Sequence, residues 1–257
     1  MYEPRLRVLS YNIHQGITVR RNRLSLSVLK EALQELKPDL VFLQEVAGSS
    51  IEKLGRLWPE KVAHQLEGLA DEMWPHFAYQ KNVIFSRHHH GNAIMSKYPI
   101  HNCVLKDITV GKLKKRGILH GMIQIPATNT HPEIIFHALN AHLGLFQFER
   151  KVQTLELIEY VKKTIKNQSP LVIAGDFNDW RQRVTQELVK RLKVEEAFLA
   201  SNQIHARTFP SRLPVLQLDR IYFRHAEMKS ASCLKGRKWM VLSDHLPIMA
   251  DLMLSKS

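Results

Sequence analysis

Short apolar runs of strand length recur along this chain, and each stops at a polar side chain capable of chemistry. Val8–Tyr11 leads to Asn12, Leu40–Gln44 to Glu45, Ile134–Asn140 to His142, and Leu171–Gly175 to Asp176 and Asn178. Met240–Leu242 precedes Asp244 and His245, while Leu218–Phe223 and Ile248–Leu254 read as two further strands. Helical spacings lie between them. Leu26, Leu29, Leu33 and Leu36 form one apolar stripe; Leu155, Ile158, Val161 and Ile165 form another, on a helix from about Glu149 to Asn167. Pro38 ends the first helix, because the residue before a proline is driven out of the helical region. Several neighbouring strands are too close for the crossover that parallel pairing needs, so the chain predicts an α/β (α+β) class with mixed sheets.

At 257 residues the chain suffices for one large domain over 1–257, with no need of a disulfide or metal staple. Cys103 and Cys233 make no disulfide framework and are expected as small core residues. The first residues, Met1 to Arg7, hold no apolar signal region, and no stretch approaches the ~18 apolar residues of a membrane span. A cytoplasmic monomer is expected, with peripheral association at the inner membrane open. The net charge of +13 and pI of 9.8 suit a polyanionic partner: nucleic acid, anionic membrane or phosphorylated small molecule. Gly48–Arg87, with Trp58 and Trp74, is weakly patterned and is expected as one helix plus surface loops.

The rim beyond the C-terminal ends of strands is where open α/β sheets bind ligands. One Asp there is usually a turn former or helix cap, but seven such residues rich in carboxylate, amide and imidazole favour a site. Glu45, Asp176, Asp219 and Asp244, with Asn12 and Asn178, are hard oxygen donors of the kind Mg²⁺ takes, without a thiolate. His142 and His245 can donate to a phosphoryl oxygen or move protons. Together these are the parts of metal-assisted phosphoester hydrolysis.

The chain resembles the endonuclease/exonuclease/phosphatase (DNase I-like) superfamily. The matching segments are Ser10–Gly16, Leu43–Val46, Gly91–Ser96, Ala141–Gly144, Gly175–Asp179, Leu218–Tyr222 and Leu242–Pro247, seven in family order over nearly the whole chain. Tyr11–Gly16, His89–Ala93 and Gly175–Gln182 are similar to a bacterial branch associated with cardiolipin synthase genes, an association that points toward phospholipid-linked chemistry.

The resemblance implies a four-layer sandwich of two mixed sheets flanked by helices, and Mg²⁺ or Mn²⁺ as cofactor. It implies Glu45 as main metal ligand with Asn12 and Asp244, and Asp176 and Asn178 orienting water and phosphate. Asp219 would fix the tautomer of His245, itself the general base or a donor to the phosphorane. His142 would contact the scissile phosphate, and Arg116 and Asn92 would bind it. Two departures matter. His14 stands where abasic-site endonucleases carry a carboxylate, which weakens a second metal site and abasic-site specificity. Arg220 follows Asp219 where many relatives have an aromatic residue, and is read either as charge near the site or as an outward strand residue.

Other features have plainer readings. His88–His90 is a solvated loop; Lys112, Lys114 and Lys115 are a solvated face; Met240, Met249 and Met253 are core; Trp180 packs under the site. Three functions follow. A nuclease-like phosphodiesterase on DNA or RNA with weak sequence specificity is first, since phosphate contacts dominate nucleic-acid affinity. A phosphodiesterase or phosphatase for phospholipid head groups or small phosphate esters is the alternative, although no long apolar loop for lipid insertion stands out. A catalytically silent binding protein is third, weakened because every motif position is filled.

Overall fold

The computed structural model describes residues 4–16, 26–48, 69, 73–84 and 89–254; Trp58 and His88 lie outside them. The order is β1 (Arg5–Asn12), α1 (Leu26–Leu36), β2 (Leu40–Gly48), β3 (His76–Ile84), β4 (His89–Ser96), β5 (Ile100–Asp107), β6 (Gly117–Ile125), β7 (Ile134–His142) and α2 (Gln147–Thr164). β8 (Leu171–Asp176), α3 (Arg183–Leu192), β9 (Glu195–Glu196), α4 (Ala197–Asn202), β10 (Asp219–Arg224), β11 (Ala226–Cys233), α5 (Arg237–Leu242) and β12 (Ile248–Leu254) follow. They form two six-stranded mixed sheets, β11-β12-β1-β2-β4-β3 and β5-β6-β7-β8-β10-β9. Parallel pairing occurs between β1 and β2 and between β7 and β8, where α1 and α2 supply the crossovers.

The sheets pack face to face and helices cover the outer faces, as the four-layer expectation requires. Between the sheets lie Leu6, Val8, Leu40 and Phe42 from one, and Phe136, Ala138, Val172 and Ala174 from the other. Outside the first sheet, Leu9, Tyr11 and Val41 pack with Leu29 and Leu33 of α1 and Trp239 of α5. Outside the second, Leu139 and Ile173 pack with Leu157 and Val161 of α2 and Leu188 of α3. Pro38 has the predicted effect: α1 stops at Leu36, and Lys37 takes φ 49° to leave the helix.

Several local expectations are corrected. The 48–87 stretch contains a strand, β3, and His89–His90 open β4 rather than a loop, paired with both β2 and β3. On α2 the sheet-facing row is Arg150, Gln153, Thr154, Leu157, Ile158 and Val161, and Leu155 points outward. Arg150 and Gln153 are buried because they bond to the loop before the helix, and Thr154 bonds back to the Arg150 carbonyl, which displaces the stripe from Leu155. Met240, Met249 and Met253 are half-buried, Cys103 is exposed and Cys233 half-buried. Among the described residues no helix is long and apolar enough to cross a membrane.

Candidate active site

Strand alternation builds the site. Side chains of period two share a face, and along each central strand the row between the sheets turns from apolar to polar at one end. β1 runs Leu6, Val8, Ser10, Asn12; β2 runs Leu40, Phe42, Gln44; β7 runs Phe136, Ala138, Asn140, His142. β8 runs Val172, Ala174, Asp176, and β10, antiparallel to it, sets Asp219 opposite Asp176. One edge of the core is therefore a buried polar layer.

Its first row knits the sheets together. Asn140 Nδ2 donates to the Leu43 and Ala93 carbonyls at 2.8 and 2.7 Å, and Gln44 Nε2 donates to Asn140 Oδ1 at 2.9 Å. Asn92 Nδ2 donates to the Gly117 and Asn140 carbonyls at 3.0 and 3.2 Å. Both amide hydrogens of Asn92 are thus engaged, one on the strand that begins beside Arg116 and one on β7. A buried polar group stripped of its partner costs about 1–3 kcal/mol, so these bonds specify how the sheets register.

Above that row sits the reactive cluster. Asp176 Oδ2 accepts from Asn12 Nδ2 at 3.0 Å and Oδ1 from the Asn178 backbone N–H at 3.0 Å. His142 Nε2 and His245 Nε2 approach the same Asp176 Oδ2, at 3.6 and 3.8 Å. His245 Nδ1 meets Asp219 Oδ2 at 2.9 Å, which also accepts from Thr208 Oγ1 at 2.5 Å. With Nδ1–H given to Asp219, the imidazole presents Nε2 toward Asp176. Burial raises the Asp176 carboxyl above its usual range. Burial alone would lower His245, but Asp219, with Asp176 and Asp244 beyond it, outweighs that and lifts the imidazole above its usual value. The balance is a cationic imidazole set among carboxylates.

Backbone detail aims the remaining groups. β2 loses register between Leu43 and Val46, and Glu45 there takes φ 56°, a rare conformation for a non-glycine residue. Asn178 has φ 49°, and its Nδ2 donates to the Leu143 carbonyl at 3.0 Å. Gly175 has φ +146°, and a Cβ there would fall 1.8 Å from the Ala141 carbonyl oxygen. Asp244 is partly exposed and lies 3.4 Å from His14 Nδ1, while Asn12 Oδ1 accepts from the His14 N–H at 3.0 Å. Arg116 is buried, its charge faces Asp176, Glu45 and Glu149, and burial lowers its pKa. Its Nε has no hydrogen-bond partner among the described residues.

The structure thus gathers Asn12, His142, Asp176, Asn178, Asp219 and His245 by direct contacts, with the Arg116 charge interacting with Asp176 and Glu45. The donor set suits a hard divalent cation, being rich in carboxylate and amide oxygens; Asp176, Asp219 and His245 bring ligand atoms within 4.8 Å of one another. Three corrections apply. The apolar run before Asp244 is the helix α5, not a strand. Arg220 is fully buried and bonds the Asp219 and Asp179 carbonyls at 3.0 and 3.3 Å, which excludes the outward reading and leaves it as charge next to the site. Trp180 is 41% exposed, with the Arg150 guanidinium 4.4 Å over its ring, rather than packed beneath the site.

Sequence reasoning missed Thr208, Asn140 and Glu149. Asn140 carries a signal, since it is polar at a position that strand alternation assigns to the interior, whereas Glu149 lies off the Leu155–Ile165 stripe and carries none. Thr208 has none, for it lies in irregular chain.

The endonuclease/exonuclease/phosphatase family model matches residues 9–245. The chain belongs to that family. Members of that family are generally phosphoester hydrolases. The uncharacterized protein YbhP of Escherichia coli K12 is 38% identical over 248 residues, 96% of this chain and 95% of its own length. An endonuclease/exonuclease/phosphatase from Beutenbergia cavernae superimposes with a TM-score of 0.76 at 18% identity, over 98% of this chain and 72% of that one. The human Nocturnin catalytic domain, solved with bound sulfate, gives 0.74 at 18% identity over 97% and 93%. At such identities the structural likenesses speak for the fold.

Proposed function

We propose that the protein is a divalent-metal-dependent phosphodiesterase. One observation carries this: a buried Asp219–His245 pair turns its second imidazole nitrogen, Nε2, toward Asp176 at the polar end of the inter-sheet layer. The 3.8 Å between His245 Nε2 and Asp176 Oδ2 is too long for a hydrogen bond. A single water set to one side of the line joining them can therefore reach both atoms.

Glu45, with Asn12 and Asp244, would hold the metal; a divalent ion there supplies Lewis-acid polarisation and offsets phosphate charge. Asp176 and Asn178 orient the attacking oxygen. His245 takes or returns a proton at Nε2 while Asp219 holds its Nδ1–H. His142 contacts the phosphate. Arg116, with an unpartnered Nε, clamps it in the way an arginine meets an oxyanion. The sulfate bound to Nocturnin agrees with an oxyanion-binding fold. Asn92 serves by fixing the strand next to Arg116.

The charge of +13 supports DNA or RNA, cut with weak sequence specificity. Phospholipid head-group esters are the second reading, favoured by apolar side chains exposed beside the site. Purified protein with Mn²⁺ or Mg²⁺ would be tested on supercoiled plasmid and on bis-nitrophenyl phosphate, with His245→Ala prepared identically. Cleavage of either by the wild type alone supports the proposal, and the plasmid separates the two readings. No metal-dependent cleavage of any phosphodiester, lipid esters included, overturns it.

A further inference from the structure

Two residues past His142 the chain rises to a tip and turns into α2. Leu145, Phe146 and Phe148 on that tip are 54%, 58% and 58% exposed. The two phenylalanine rings stack, with centroids 6.0 Å apart and planes 20° off parallel. Trp180 stands on the next loop, and Arg181 Nη1 joins the loops by donating to Gln147 Oε1 at 3.2 Å.

The tip is held in place from below. Arg150 Nη1 donates to the Gly144 carbonyl at 3.2 Å and to the Leu145 carbonyl, and the Gly144 N–H donates to Gln153 Oε1 at 2.8 Å. Gly144 leaves room only for the buried Glu149 carboxylate, whose atoms would lie 1.8 to 2.3 Å from a Cβ. Buried polar residues therefore brace a surface of exposed apolar ones. Lys151, Arg181 and Arg183 are exposed on the same two loops and helix starts. Beyond Asp244, the segment whose Ser211 N–H bonds the Asp244 carbonyl at 2.6 Å carries exposed Leu213 and Val215.

A braced apolar patch rimmed by cations marks an interaction surface. We infer that this face docks on an anionic lipid bilayer. Leu145, Phe146, Phe148 and Trp180 enter the boundary between head groups and acyl chains, while Lys151 and Arg181 lie among anionic head groups. The docked site then faces phosphodiesters at the membrane surface, a consequence that rests on the phosphodiesterase reading, although docking itself does not. Single-stranded nucleic acid fits the patch less well. An intercalated base needs about twice the ~3.4 Å stacking rise, more than the 6.0 Å between the phenylalanine rings. Arg150 already occupies one face of Trp180, and Leu145 has no π-face on which a base can stack.

The test is sedimentation with vesicles of equimolar phosphatidylcholine and phosphatidylglycerol, against phosphatidylcholine alone. Wild type is compared with the double variant Phe146→Ser/Phe148→Ser, with thermal melts of both. Quenching of tryptophan fluorescence by brominated lipid, with Trp180→Phe as the second variant, reports insertion at that position. Expected are binding to the anionic vesicles, at least ~tenfold weaker binding by the double variant, and quenching that largely disappears in Trp180→Phe. Failure of the wild type to sediment overturns the inference. So does equal binding by the double variant, or its loss of affinity for oligothymidylate with vesicle binding intact. Bis-nitrophenyl phosphate hydrolysis is run in parallel; silence there counts against the catalytic reading and leaves the docking result standing.

Discussion

His120 on β6 gives the protein a defined sensitivity to acid. Its Nδ1 lies 2.8 Å from the Tyr160 hydroxyl on α2, and its Nε2 lies 2.9 Å from His137 Nδ1 on β7. All three groups are satisfied when Tyr160 donates to Nδ1 and Nε2–H donates to His137. A second proton on His120 would have to reverse the Tyr160 bond. Burial, and then the neighbouring His137, pull His120 down to about 4; His137 is itself lowered by burial and by Arg224, and Cys103 faces Tyr160. A base held below its unfolded value binds fewer protons folded than unfolded, so its contribution is intact above about pH 6.5 and is lost as pH falls toward 4. From those two values, His120 removes about 2.5 kcal/mol of stability between pH 7.5 and 4.5. Urea denaturation followed by circular dichroism at the two pH values, on wild type and His120→Gln, measures this. The variant's loss on acidification should be smaller by about that amount. Equal losses in the two proteins would refute the account of the cluster.

Both bonds to Asp219 converge on Oδ2, so Asp219→Asn can keep them through its amide oxygen and lose only the charge. Turnover of bis-nitrophenyl phosphate should fall by ~10²–10⁴ with little change in melting temperature; a rate near wild type would remove Asp219 from the chemistry. Glu45→Gln should abolish the rise in melting temperature that Mn²⁺ gives the wild type, since a ligand of the native state must stabilise it; an undiminished rise would move the metal elsewhere. Gly175→Ala forces a Cβ against the Ala141 carbonyl oxygen at a φ of +146°. It should cost about 3 kcal/mol in urea denaturation, and unchanged stability would show that the close approach is not needed.

The sequence made the central layers legible because their strands are buried on both faces and their patterns are not diluted by solvent. Leu40–Leu43 and Leu171–Ala174 are such runs, and the change to Glu45 or Asp176 marks where each leaves the apolar core. Where tertiary contacts set the pattern, the reading slipped. Arg150 and Gln153 look like a solvated face of α2, yet the loop ahead of the helix needs their hydrogen bonds, while Thr154 beside them turns its hydroxyl back onto the Arg150 carbonyl. Arg237–Leu242 is six residues long, too short for apolar period to separate a helix from a strand. Trp180 departs from expectation for a related reason: its cover is a guanidinium from another element, which composition cannot show. The candidate site itself was legible through spacing of polar residues at strand ends. Thr208 was not, because Asp219 recruits it across irregular chain.

The arrangement separates what must be rigid from what can vary. Asn12, His142 and Asp176 occupy inward positions at the ends of hydrogen-bonded strands, and β1, β7 and β8 are central in their sheets, so neighbouring strands hold each on both sides. Asp219 is registered directly against Asp176 across β8 and β10. Shifting any of these strands by one residue would carry its apolar row out of the core together with its polar end, at a cost far above the stability of a domain this size. Geometry of the polar cluster is thereby tied to the fold as a whole. The Leu145–Phe148 tip carries no such constraint, since its side chains are exposed and only its backbone is braced through Arg150 and Gln153. Substitutions there can change what surface the protein approaches without moving Asp176 or His245, which is why the docking face and the chemistry can be tested independently.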